Sequence, residues 1–262
     1  MAAAARGCAS FAPPLPSPSP SMSKFNSLSK SRSPPLHRRI IYSELKEIRV
    51  CTNRTCRRQG SMQTLETLSG LARPDVAVNS CGCLGRCGAG PNIVALPDGL
   101  FVGHCGTAAR ACQVMVELCG GGRSGSVDDA KTSLEALALR KRAESEIEKR
   151  DFSEAEILLS QAIDLKPFGG MHFIYKVRSL ARLAMGDYSG ALEDVREALK
   201  LAPNYTEAYI CQGDIFLAMD QYDASEKSYA TCLEIDPSIR RSKSFKSRIV
   251  KLKEKLTAAN MP

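Results

Sequence analysis

No tryptophan occurs in this 262-residue chain, and the three histidines, His37, His104 and His172, stand isolated from one another. A centre built on clustered imidazoles is therefore excluded. No Cys-x-x-Cys pair is present among the 11 cysteines, which removes the usual motif of a disulfide oxidoreductase. No Gly-rich phosphate loop follows a strand pattern, and no carboxylate pair flanks a nucleophile, so the sequence carries no catalytic constellation. His104, although it neighbours Cys105, reads as a surface residue at a hairpin exit. No apolar run approaches the roughly 20 residues of a membrane span or the core of a signal peptide.

Acidic residues are absent before Glu44. Residues 1–43 hold ten serines, seven of the 14 prolines and six Lys or Arg. A hydroxylated, basic, acid-free tract of this kind reads as an organelle transit peptide. The prolines oppose the amphipathic helix of a mitochondrial presequence, so a chloroplast destination, the stroma, is expected. The formal charge of +8 falls to +2 once the six positive charges of this tract are set aside. With no aromatic-basic interleaving either, nucleic-acid binding is not expected.

What is present first is cysteine in two closely spaced pairs, Cys51-Thr-Asn-Arg-Thr-Cys56 and Cys83-Leu-Gly-Arg-Cys87, separated by enough chain for a helix and a strand. Four thiolates at such spacings suit an iron-sulfur or a zinc centre. The second pair lies in a Gly-rich stretch, residues 81–91, which lets backbone amides approach sulfur. Arg54, Arg57, Arg58 and Arg86 would offset thiolate charge, or are ordinary solvated loop charge. Around these pairs, Ile48 to Val50 alternates as a strand and Met62 to Leu71 has helical spacing. A strand over residues 76–79, strands flanking Pro97-Asp98-Gly99 and a helix from about Thr107 to Leu118 complete a small α/β unit. Cys105, Cys112 and Cys119, at seven-residue intervals, and Cys211 and Cys232 read as small buried hydrophobes.

The order of Cys51, Cys56, helix, strand, Cys83-Leu84-Gly85-x-Cys87 and Gly90-Pro91-Asn92 resembles the thioredoxin-like 2Fe-2S ferredoxins over residues 45–119. That resemblance implies a 2Fe-2S cluster held by Cys51, Cys56, Cys83 and Cys87, with Cys81, an extra thiol in the ligand loop, as the alternative ligand. Zinc is the other metal such a set would take.

Residues 120–128, opening Gly-Gly-Gly-Arg-Ser-Gly-Ser, read as a flexible linker, with Asp128 or Asp129 capping the next helix. Beyond it the chain repeats itself. Pro167, Pro203 and Pro237 end three similar blocks at separations of 36 and 34, and each block has a turn at Arg150-Asp151-Phe152, Gly186-Asp187-Tyr188 or Asp220-Gln221-Tyr222. Residues 129–237 thus resemble three tetratricopeptide repeats, best in the third, where Tyr209, Gly213, Phe216, Tyr229, Cys232 and Pro237 occupy key positions. Ser179 stands in the second repeat where a small glycine is usual. Residues 238–259 would form a capping helix with Ile239, Phe245, Ile249, Leu252 and Leu256 inward and a Lys/Arg-rich outer face, a candidate for peripheral contact with an acidic partner or anionic surface.

The fold expected is an α/β thioredoxin-like ferredoxin domain followed by an all-α repeat domain. The resemblance implies a protein partner on the concave face of the repeats, near Tyr175, Arg178, Arg182, Tyr209 and Gln212. At the positions of the clamp that grips chaperone tails stand Arg140, Glu144, Val177, Glu207 and Ile210, four of which depart from it, so chaperone-tail binding is not expected. Two functions follow: a plastid 2Fe-2S electron carrier or redox sensor docked through its repeats, or a repeat scaffold or assembly factor for a chloroplast complex whose Cys-rich domain is only a structural zinc or Fe-S module.

Overall fold

The computed structural model describes residues 45–119 and 127–259, all within one compact unit. Its first part is a four-stranded mixed sheet. The strands are β1 (Glu47–Cys51), β2 (Ala77–Cys81), β3 (Ile93–Leu96) and β4 (Leu100–Val102), in the order β2-β1-β3-β4. Strand β1 runs parallel to β2, with Cys51 opposite Cys81, and antiparallel to β3, which pairs antiparallel with β4. The parallel pair requires a crossover, supplied by the short α1 (Arg54–Arg58) and by α2 (Ser61–Leu71). Helix α3 (Ala108–Cys119) closes the sheet. Its apolar stripe, Ala111, Cys112, Val114, Met115 and Leu118, meets Ile48, Val50 and Ile93 in a core where most side chains are fully buried.

The second part is helical throughout: α4 (Val127–Glu148), α5 (Phe152–Asp164), α6 (Met171–Met185), α7 (Tyr188–Leu201), α8 (Thr206–Ala218), α9 (Tyr222–Ile235) and α10 (Lys243–Ala259). They pair as α4/α5, α6/α7 and α8/α9, with α10 last, and three successive core clusters join each pair to the next. Asp151 and Asp187 start α5 and α7 by accepting from the Glu154 and Gly190 amides, at 3.1 and 3.0 Å. Gly213 is required because a Cβ there would lie 2.4 Å from the Tyr229 ring. Its counterpart Ser179 fits because its hydroxyl donates to Lys176 O at 2.7 Å and lies 3.0 Å from Cys211 Sγ.

Two features depart from the sequence reading. Helix α4 already begins at Val127, so Asp128 and Asp129 lie inside its first turn rather than capping it, where their charge favours the helix N-terminus. The rest of the expected linker, residues 120–126, and the expected transit peptide, residues 1–43, lie outside the described residues. Moreover, α4 serves two cores at once. Its Ala130, Leu134 and Leu137 pack among the α/β residues, and the Cys112 thiol donates to Ala130 O at 3.2 Å, while Ala136 and Ala143 face α5 and α6. The loop before α6 completes the junction. A Cβ at Gly170, whose φ is +78°, would sit 2.4 Å from Gly70 O, so the loop reaches α2 only with glycine there.

Candidate functional site

The cysteine loops lie at one end of the sheet. Cys51 ends β1, Asn53 caps α1 through its side chain, and α1 turns Cys56 inward, leaving both thiols about 1% exposed. Cys81 ends β2 half-buried. Cys83 and Cys87 are exposed, with their sulfurs 3.7 Å apart, and Gly85, at φ +82°, curls the loop so that its amide donates to Cys83 Sγ at 3.4 Å. Burial works to raise the Cys51 thiol, but the Asn53 and Leu84 amides and the Cys56 thiol outweigh it and leave it lowered. Cys56 is raised by burial and by its proximity to Cys51, against the pull of the Asn92 backbone. The buried Asn92 amide donates to Arg86 O at 2.7 Å and approaches Cys56 Sγ at 3.8 Å, so one side chain braces both loops.

This arrangement corrects the expectation of a 2Fe-2S cluster or a zinc ion. Among the described residues no three His, Cys, Asp or Glu side chains converge as a metal site. The thiols stand instead as two pairs, Cys51 with Cys56 beneath the surface and Cys83 with Cys87 upon it, hydrogen-bonded to each other and to amides. The arginines are not turned to a cluster either. Arg54, Arg57 and Arg58 are exposed, and the Arg86 guanidinium stacks 4.4 Å over the Phe101 ring.

On the repeats, Arg178 binds Asp194 through two hydrogen bonds of 2.9 and 2.6 Å and Ser160 at 3.1 Å. Arg182 donates to Glu156 at 2.7 Å and lies 3.2 Å from Asp194. Asp194 is 1% exposed, and burial raises its carboxyl against the pull of both arginines. Gln212 accepts from Ser228 at 3.1 Å, Tyr175 lies under the Arg178 guanidinium, and Tyr209 packs against the cluster of α9 and α10. Arg178, Arg182 and Gln212 therefore tie the first helix of a repeat to neighbouring second helices.

A groove of about 480 Å³ opens elsewhere, between α6, α8 and α10, over Leu183, Leu217 and Ala218 with Asp214, Ser244, Ser247, Arg248 and Lys251 around it. The sequence reading placed Arg248 and Lys251 on the basic outer face of the last helix and missed the others. The available signal was spacing: 244, 247, 248 and 251 share one face of α10, and 214, 217 and 218 one face of α8. A second cleft of about 360 Å³ lies where β2 and the end of α2 meet the starts of α6 and α8. There His172, 5% exposed, is stacked against Phe173 at 3.9 Å and edge-on to Tyr205 at 5.2 Å.

Comparison with known proteins bears on the helical part. Residues 206–239 match the tetratricopeptide repeat family model. The protein STIP1 homolog of Dictyostelium discoideum is 26% identical over 109 residues, 42% of this chain and 19% of that protein. Heat shock protein STI1 of Saccharomyces cerevisiae is 27% identical over 111 residues, 42% of this chain and 19% of that protein. Rat serine/threonine-protein phosphatase 5 is 30% identical over 108 residues, 41% of this chain and 21% of that protein. The chain thus spans about a fifth of the curated relatives it matches. Among solved structures, the first TPR of Spaghetti (RPAP3) bound to HSP90 peptide SRMEEVD is similar, with 22% identity, 48% of this chain and 95% of that one covered, and a TM-score of 0.42. The Arabidopsis OM64 TPR domain matches at 17% identity, 47% and 98% coverage and a TM-score of 0.42. The helical half is all-helical and built of tetratricopeptide-like repeats, of which residues 206–239 match the family model.

Proposed function

We propose that the protein is a non-catalytic docking adaptor that holds a segment of a partner protein in the groove between α6, α8 and α10. The observation that carries this reading is the composition of that groove, an apolar floor of Leu183, Leu217 and Ala218 rimmed by Ser244, Ser247, Arg248 and Lys251. The repeat match supports it, since stacked helix pairs create extended concave binding surfaces. The partner segment is not an acidic chaperone tail. Arg140, the one clamp-like cation, is half-buried at the junction with its guanidinium 5.2 Å over Phe173, and Glu207 is exposed on α8.

The α/β part acts here as a structural brace that shares α4 with the repeats. The β2-β1-β3-β4 order supports a thioredoxin-like reading of it. Among the described residues no helix is long and apolar enough to cross a membrane. The exposed Arg240, Arg241, Lys243, Lys246 and Lys253 support a peripheral contact beside the groove. The composition of residues 1–43 supports delivery to the chloroplast stroma, which a fluorescent fusion of that tract tests.

A photo-reactive residue at Ser247, in the groove, compared with one at Lys227, exposed on α9, tests the docking reading. Labelling of one partner from position 247 alone, abolished by Leu183→Glu with Lys251→Glu at unchanged helical content, is expected. Equal labelling from both positions would sink it.

A further inference from the structure

The cysteines of this chain are not equivalent. Burial pushes Cys112, Cys119, Cys211 and Cys232 up to about 11, and Cys105 is also raised, so at neutral pH these thiols are poor nucleophiles. Cys51 and Cys56 are sealed at about 1% exposure. Only Cys83 and Cys87, among the described cysteines, are exposed. Their sulfurs stand 3.7 Å apart across a three-residue loop that Gly85 folds back on itself. A small side-chain rotation brings such a pair to the ~2.05 Å of a disulfide.

We propose that Cys83 and Cys87 are a reversible dithiol site that forms an intramolecular disulfide by exchange with a low-molecular-weight disulfide such as oxidised glutathione. The Gly85 amide, 3.4 Å from Cys83 Sγ, orients that exposed sulfur, and Cys83 gives up its proton to solvent and attacks first. Cys83 sulfur attacks one sulfur of the small disulfide, and the S–S bond breaks with release of one thiolate. Cys87 then gives up its proton to solvent and attacks the Cys83 sulfur, and the second small thiolate leaves. Two protein thiols are oxidised to one disulfide while one small disulfide is reduced to two thiols.

Trypsin makes the test direct, because it cuts after Arg86 and so separates the two cysteines. The full chain, equilibrated with oxidised glutathione and blocked with iodoacetamide, is expected to yield peptides 59–86 and 87–110 joined in one reduction-sensitive species two hydrogens lighter than their sum. The linkage is lost in Cys83→Ser and in Cys87→Ser and kept in Cys81→Ser. Fragment ions of the wild-type species place the bond between Cys83 and Cys87 without recourse to any variant. Recovery of the two peptides unlinked, or a bond that maps to Cys81 or Cys105, would overturn the assignment.

Discussion

Arg248 Nε lies 2.8 Å from both carboxylate oxygens of Asp214, and Asp214 also accepts from the Tyr229 hydroxyl at 2.6 Å. One carboxylate thus joins α8, α9 and α10 on the wall of the groove. Replacing it leaves a partly buried guanidinium without its partner. Asp214→Asn is expected to cost about 1–3 kcal/mol and to loosen α10 in particular. Hydrogen exchange over residues 243–259 checks this, and protection equal to wild type would show that the apolar contacts of Phe245 and Leu252 hold the helix alone.

The turns before α5, α7 and α9 provide a second test. Arg150, Gly186 and Asp220 occupy the same place in successive repeats, and all three have positive φ, at 66°, 84° and 57°. Only glycine takes that conformation without cost. Arg150→Gly is therefore expected to stabilise the protein by about 0.5–1 kcal/mol, and Gly186→Ala to destabilise it by a similar amount. Thermal melts of both variants decide the sign.

Much of this architecture was written in the chain. Pro167, Pro203 and Pro237 mark repeat ends, Asp151 and Asp187 mark helix starts, and the spacing of Phe245, Ile249, Leu252 and Leu256 shows the inner face of α10. What stayed hidden depends on partners distant in sequence. Arg178 and Arg182 looked like groove residues because nothing local reveals Asp194, which binds both from α7. Cysteine spacing fixes loop length but not the direction of a thiol. Cys51 and Cys56 turn inward while Cys83 and Cys87 stay outside, and the metal expectation failed on that difference. The shared role of α4 had one local clue: it runs 22 residues against 13 to 15 for α5 to α9.

That sharing makes the junction glycines decisive. Gly170→Ala adds a Cβ that would meet Gly70 O at 2.4 Å, at a φ that disfavours any side chain. The loop must withdraw from α2. The expected outcome is a loss of about 1–3 kcal/mol and a separation of the melting of the sheet from that of the repeats. Exchange protection of β1 and of α7, followed through one denaturant series, reads both. Coincident transitions in the variant would show that α4 alone couples the two parts.

His172 makes the junction sensitive to pH. Burial, aided by the charge of Arg140, lowers it from 6.5 to about 4, so the folded protein holds it neutral where the unfolded chain would protonate it. Between about pH 6.5 and 4 the unfolded state binds more protons, and stability rises with pH. The contribution is fully present above the unfolded value and is lost as pH falls towards the folded one. From pH 7 to pH 5 the loss amounts to about 2 kcal/mol. Asp75 and Asp187, whose carboxyls are lowered chiefly by hydrogen bonds from Arg73 and from the Gly190 amide, lose their contributions mainly further into acid. His172→Phe, which keeps an aromatic ring against Phe173 and Tyr205, is therefore expected to flatten the melting temperature between pH 7 and pH 5. A variant that keeps the wild-type slope would place the acid sensitivity outside this cleft.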